Sequence, residues 1–317
     1  MKTLIRILPD PFVKFFAKPY VAGDSLDAGI EAAKALQAKG LQTTLDLLYE
    51  GITEQGQVDD VRAVYREMVQ ACVLFEDPST RPTVSLKPSS YTTHPLDCGE
   101  GMDARGSEEA IREIVESAHE KGVDVTIDME DRHWTDWTLD LASKLRAEGK
   151  ENVGIALQTR MNRTEADLDD LPPEIRVRLV IGIYNEPDSV ATRDKHEMKE
   201  RLLRYAQKLL ARGHFVEFGT HDETYIRRFL TEVVPAAGVA SDRYEIQMLY
   251  GVPRDSFHQE LLRGGIGSQG PVGVRLYVPF ATSWTLALSY LRRRLLENPS
   301  MVFAVGRNLL RVLSLRR

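Results

Sequence analysis

Along the chain, short runs of apolar residues recur at regular intervals, and the stretches between them carry the period of amphipathic helices. Residues 41–48 (LQTTLDLL), 84–88 (VSLKP), 124–129 (DVTIDM), 153–158 (VGIALQ), 176–182 (RVRLVIG), 215–220 (FVEFGT), 243–249 (RYEIQML) and 274–279 (VRLYVP) have the length and side-chain character of strands. Helical patterns occupy 25–39, 57–75, 107–121, 135–147, 194–212, 223–235 and 255–263, with a turn at 164–172. Ser25 or Asp24 caps the first helix and Gly40 stops it. In the last strand Val274, Leu276 and Val278 alternate with Arg275 and Tyr277, and Pro279 is expected to end the ladder.

Eight strands separated almost throughout by helices predict an α/β fold, a (β/α)8 TIM-like barrel whose strands are apolar enough to be buried on both faces. No internal repeat, low-complexity tract or linker divides the 317 residues, so one domain is expected, with residues 1–24 as a helical N-terminal extension. Beyond strand eight, Tyr290, Arg293 and Glu297 recur three and four residues apart and share one helix face, with Arg294 beside them. Adjacent guanidinium groups held rigid by an acid suit two-bonded capture of a small carboxylate. A solvated basic face is the other reading of such a run.

Composition narrows the field. Apolar residues make up 43% and charged residues 28%, ordinary for a globular protein. A net charge of −6 leaves no basic excess to displace counterions from nucleic acid. The two cysteines, Cys72 and Cys98, form no CxxC pair, which fits a reducing, cytoplasmic setting and neither a disulfide framework nor a zinc site. No apolar run reaches the roughly 20 residues of a membrane span. The C-terminal stretch 301–317 is short, basic and amphipathic, either a docked terminal helix or a contact with a membrane surface.

Barrel chemistry sits at the C-terminal ends of strands, which makes the search for a site a directed one. Those ends carry Lys87, Asp128 with Glu130 and Asp131, Gln158 with Arg160, and Arg178 with Gly182 and Tyr184. Further round come Thr220, His221 and Asp222, then Gln247, Leu249 and Tyr277. A rim so rich in cations and amides suggests an anionic ligand and an extended polar cofactor. His221 is the only histidine at a strand end, and surface roles are expected of the other six. Trp134 and Trp137 are expected to pack on a helix. The Gly-rich stretch 264–273 follows a helix and precedes a strand, the wrong order for a phosphate cradle, and reads as a loop.

Taken in order, TTLDLL (43–48), SLKPS, IDMED, ALQ, RLVxGxY, GTHD, YEIQMLYG, RLYVP and YLRRRLLEN resemble proline dehydrogenase, alone or as a domain of bifunctional proline-utilisation proteins. The resemblance covers nearly the whole chain. It implies a lid helix after strand eight over the barrel mouth, FAD as cofactor, and oxidation of L-proline to Δ1-pyrroline-5-carboxylate, the first step of proline catabolism. Position by position, it implies that Arg293 and Arg294 bind the proline carboxylate with Lys87 as a third cation. Asp128, Tyr277, Tyr290 and Leu249 would shape the pocket, and Glu297 would orient the arginines. Gln158, Arg178, Gly182, Thr220, His221 and Gln247 match cofactor-binding positions. It also implies quinone as electron acceptor, with peripheral membrane contact, and a separate pyrroline-5-carboxylate dehydrogenase as partner.

One departure stands out. The family reads RLVKGAY at strand five, whereas this chain has Ile181 in place of a lysine that helps hold the flavin and Ile183 in place of a small residue near the pocket. Both bear on cofactor affinity and substrate choice. Two alternatives follow: another flavin barrel, such as a methylenetetrahydrofolate reductase-like protein or a dehydrogenase of a proline analogue, and a barrel that has lost flavin and acts as a binding protein.

Overall fold

The structure is a computed structural model and describes residues 14, 18–49, 51–96, 99, 101–267 and 270–288. Eight parallel strands close into a barrel in sequence order: β1 Gln42–Leu47, β2 Thr83–Leu86, β3 Val125–Ile127, β4 Val153–Gln158, β5 Arg176–Val180, β6 Phe215–Gly219, β7 Tyr244–Leu249 and β8 Gly273–Phe280. Closure is made by β1 and β8, in register from Gln42 opposite Arg275 to Leu47 opposite Phe280. The helix α1 Leu26–Gln37 precedes β1, and α2 Gln55–Cys72, α3 Ser107–Glu120, α4 Thr135–Ala147, α5 Thr164–Asp167, α6 Lys195–Ala211, α7 Glu223–Arg228, α8 Val234–Ala237 and α9 Asp255–Arg263 lie between strands.

Local chemistry sets most helix ends. Ser25 caps α1 by accepting from Ala28 N, and Asp194 caps α6 by accepting from His196 N and Glu197 N. Glu54 and Gln57 form a reciprocal capping box that starts α2 two residues before the predicted position. The single helix expected over 223–235 is interrupted: Phe229–Val233 forms a π-helical turn between α7 and α8. Pro235, which has no N–H to donate, sits in the first turn of α8 and cannot continue a regular ladder.

One expectation about the strands is corrected. Pro279 does not end β8, which runs on to Phe280. Strand β7 stops at Leu249 opposite Tyr277, so the missing N–H of Pro279 falls where β7 no longer pairs. The strands are buried on both faces, as expected, but only one of those faces is apolar. Leu45, Val84, Ile127, Ile155, Val177, Leu179, Phe218, Ile246 and Val278 belong to the apolar core under the helices. The alternate positions carry Thr44, Ser85, Arg178, Glu217, Glu245, Gln247 and Arg275, all buried. Bonds that cross between non-adjacent strands, such as Arg178 Nη1 to Ser85 Oγ at 2.9 Å, put this second set inside the barrel.

The barrel interior is therefore polar and paired. Glu245 accepts from Arg275 Nε at 2.7 Å and from Gln247 Nε2 at 2.6 Å, while Glu217 lies 3.3 Å from both Arg176 and Arg178. Charges this deep persist only with partners. The N-terminal stretch docks on the mouth side: Ala22 N donates to Pro279 O at 2.9 Å and Ala281 N to Gly23 O at 3.1 Å. Pro19 O lies so close to Gly251 that an added methyl would come within 1.6 Å, which explains the glycine there.

Candidate active site

The C-terminal ends of β1, β2, β3, β5 and β8 converge on one hydrogen-bonded group. Lys87 Nζ, just past β2, donates to Asp46 Oδ1 at 2.5 Å and to Tyr277 OH at 3.3 Å, and lies 3.5 Å from Asp128 Oδ2. Tyr277 OH donates to Asp128 Oδ2 at 2.8 Å, and Ser85 Oγ to Asp128 Oδ1 at 2.8 Å. From the far wall Arg178 Nη1 donates to Asp128 Oδ1 at 2.9 Å, and its Nε to Gln247 Oε1 at 2.6 Å. The guanidinium of Arg178 also lies 5.2 Å from the centre of the Tyr277 ring. Four residues singled out in the sequence, Lys87, Asp128, Arg178 and Tyr277, thus form a single unit.

Its electrostatics follow from burial set against pairing. Burial pushes the Asp128 carboxyl up, but Lys87 and Arg178 outweigh it, and the group stays below the usual carboxylate range. Asp46 has no second cation, so burial dominates and raises it despite Lys87. Burial would lower Lys87, yet Asp46, Tyr277 and Asp128 hold its proton more firmly than in water. Arg178 is held likewise by Glu217 and Asp128. Lys87 and Arg178 therefore face Asp46, Asp128 and Glu217, and the floor carries no excess of positive charge.

A second group lines the ends of β4 to β7. Gln158 Nε2 donates to Glu130 O at 2.7 Å, while its Oε1 is buried without a partner among the described residues. Gly182 lies over it with φ +89°, and an added methyl would come within 2.3 Å of Gln158 Oε1. Thr220 N donates to Gln247 O at 3.1 Å, and Leu249 N donates to His221 Nε2 at 3.0 Å. Burial, then Arg254 and His258, depress His221 to about 4, so the ring is neutral and its proton rests on Nδ1. That atom and Arg178 Nη2 are buried and unpartnered among the described residues. Beside them Ile183 and Leu249, each 48% exposed, present bare apolar surface. Free donors, a free acceptor and exposed apolar side chains around one rim fit a flat, largely apolar group with polar edges.

Several site residues escaped the sequence reading. Asp46, Ser85, Glu217, Glu245 and Arg275 lie within strands rather than at the rim, yet they hold the site residues in place. The sequence did carry a signal: a charge repeatedly interrupts the apolar alternation in TTLDLL, RVRLV and YEIQML. Glu130, buried and pushed up to about 7 by that burial, accepts from Ser89 N at 2.8 Å and Ser89 Oγ at 2.6 Å and fixes the turn after Lys87. His214 and His258 are buried, against the surface roles expected for them; His258 shares the inward face of α9 with Phe257 and Leu261. Trp134 and Trp137 pack edge to face at 5.4 Å at the start of α4, as expected. Tyr290, Arg293, Arg294 and Glu297, with the rest of the lid segment, and Cys98 lie outside the described residues.

Comparison with known proteins places the chain in a family. A family model for proline dehydrogenase matches residues 29–306. The chain is 34% identical over 293 residues to proline dehydrogenase of Deinococcus radiodurans, covering 89% of this chain and 86% of that protein. It is 31% identical over 283 residues to proline dehydrogenase 2 of Bacillus subtilis, again covering 89% and 86%. Similarity to the bifunctional protein PutA of Escherichia coli is 26% over 341 residues and spans 25% of that protein. Among solved structures, proline utilization A from Bdellovibrio bacteriovorus shares the fold with a TM-score of 0.74 at 19% identity, over 88% of this chain and 32% of that one.

Proposed function

The chain belongs to the proline dehydrogenase family, and from that premise we propose that it oxidises L-proline to Δ1-pyrroline-5-carboxylate with FAD as its cofactor. The observation that carries this reading is the buried unit of Lys87, Asp128, Tyr277 and Arg178 at the mouth of the barrel. When bound, FAD supplies the two-electron acceptor for the hydride that leaves proline C5. Arg178, Gln158, Gly182, Thr220, His221 and Gln247 hold it. What supports this is the unpartnered Arg178 Nη2, Gln158 Oε1 and His221 Nδ1, together with exposed Ile183 and Leu249.

The remaining residues position the amino acid. With Asp46 and Asp128 beside it, Lys87 has little charge to spare for a carboxylate. The family resemblance assigns the anchoring of that group to Arg293 and Arg294, oriented by Glu297, with Lys87 as a third cation. Asp128 holds Tyr277 by its hydroxyl, which fixes the phenol as one wall of the ring pocket. The resemblance assigns Tyr290 and Leu249 to the same pocket, and Ile183, exposed at the rim, would narrow it towards a small ring. Fixing the far end of a small stiff molecule removes much of the entropy of bringing C5 to its acceptor.

Among the described residues no helix is long and apolar enough to cross a membrane. A cytoplasmic enzyme that passes electrons to quinone, touches the inner membrane face peripherally, and hands its product to a separate pyrroline-5-carboxylate dehydrogenase completes the proposal. The test is product formation: FAD-loaded protein with proline and a dye acceptor should yield pyrroline-5-carboxylate. Turnover of a different amino acid in its place, with none of proline, would overturn the assignment.

A further inference from the structure

With isoleucine at 181, residues 181–184 after β5 carry no charged side chain, yet a cation stands at that corner. Arg160, two residues beyond β4, donates its backbone N–H to Ile181 O at 3.2 Å. Its Cδ lies so close to Gly182 that an added methyl would come within 2.8 Å. Its Nη1 donates to the carbonyl of Tyr184. These three contacts lay the side chain along residues 181–184, next to Gly182 and Gln158.

The charge on Arg160 is unmatched. Among the described residues no carboxylate comes within ion-pairing distance of it, whereas its neighbours Arg163, Arg193 and Arg201 each meet one. Glu186, the acid that acts on Arg160 through space, is already committed: Arg132 N and Nη1 donate to its two oxygens at 2.8 and 3.1 Å. Arg160 Nε is buried and has no acceptor among the described residues. A partly buried guanidinium in this state is costly, and an anion brought to it recovers that cost. Near neutral pH the anionic part of FAD is its diphosphate, which guanidinium forks bind well.

We infer that Arg160 is the cation that binds the cofactor's diphosphate, meeting from the end of β4 the need that Ile181 leaves unmet on β5. The inference rests on the flavin reading given above. It adds to that reading a residue outside the matched cofactor positions, and it makes the isoleucine at 181 tolerable rather than damaging.

Flavin-stripped full-length protein titrated with FAD and with riboflavin, followed by flavin fluorescence, gives the test. Arg160→Met should weaken FAD binding by about tenfold or more, while riboflavin, which has no phosphate, keeps its wild-type Kd within about twofold. Arg160→Lys, which retains the charge but not the fork, should recover only part of that loss. Adding Ile181→Lys to Arg160→Met should restore most of the FAD affinity. Thermal melts and the riboflavin arm reveal any folding defect, and Arg160→Gln, which removes the charge but keeps a donor for Tyr184 O, carries the test with the same expected loss if the methionine variant does not fold. Unchanged FAD affinity in Arg160→Met, or an equal loss for FAD and riboflavin, overturns the inference and leaves FAD dependence standing. Wild-type protein that binds neither flavin overturns the flavin reading itself.

Discussion

Arg178 reaches from β5 across the barrel to place its Nη1 2.9 Å from Asp128 Oδ1 beyond β3. That bond ties together walls that are not neighbours in the sheet, and it sets the charge of the site floor. The same guanidinium meets Gln247 and Glu217, so one side chain joins the proposed cofactor wall to the proposed substrate wall.

Removing it should be expensive. Arg178→Met leaves Asp128 and Glu217 short of a buried cation, and the loss of one partner from such a pair costs about 3–5 kcal/mol. Arg178→Lys should recover part of this, because a single ammonium cannot reach Asp128, Gln247 and Glu217 together. Urea unfolding of the three proteins checks the order wild type, lysine variant, methionine variant. Equal stabilities would mean that the mouth does not depend on the bond.

The pH dependence of stability should carry the mark of Glu130. Its folded-state value, about 7, lies above the ordinary 4.5, so the native chain holds this proton more tightly than the unfolded one. Stability from this group is therefore fully present below pH 4.5 and is lost as pH rises towards 7. The gap between the two values corresponds to roughly 3 kcal/mol. In Glu130→Gln that slope should flatten. Chemical denaturation of both proteins across the interval measures it, and parallel curves would contradict the assignment.

The arginine pair should act on substrate rather than on cofactor. Arg293→Ala or Arg294→Ala is expected to raise KM for proline steeply, lowering kcat/KM by about 2–4 kcal/mol while the flavin absorbance persists. Steady-state kinetics with the spectrum recorded in parallel decides this. Wild-type kinetics in both variants would remove the clamp.

How much of this could be read beforehand depends on which physical signal each part leaves. The eight strands were legible because helix and strand periods alternate cleanly, and Lys87, Asp128, Arg178 and Tyr277 were found because barrel topology says where to look. Asp46 and Glu217 were not, because a charged residue inside a strand looks like a solvent-facing position until closure turns that face inward. Pro279 misled for a related reason: its cost depends on whether β7 extends far enough to need its N–H, which the order of residues does not reveal. The π-turn at Phe229–Val233 likewise depends on packing around Pro235, while helical periodicity alone runs straight through it.

The central claim is that proline gives up a hydride to a flavin held in this barrel, and an absorbance spectrum recorded before and after anaerobic addition of proline tests it most directly. The account expects yellow protein whose visible flavin band bleaches on addition of proline and returns with an electron acceptor. Colourless protein that takes up no added FAD, or a flavin band that proline leaves unchanged, would contradict it.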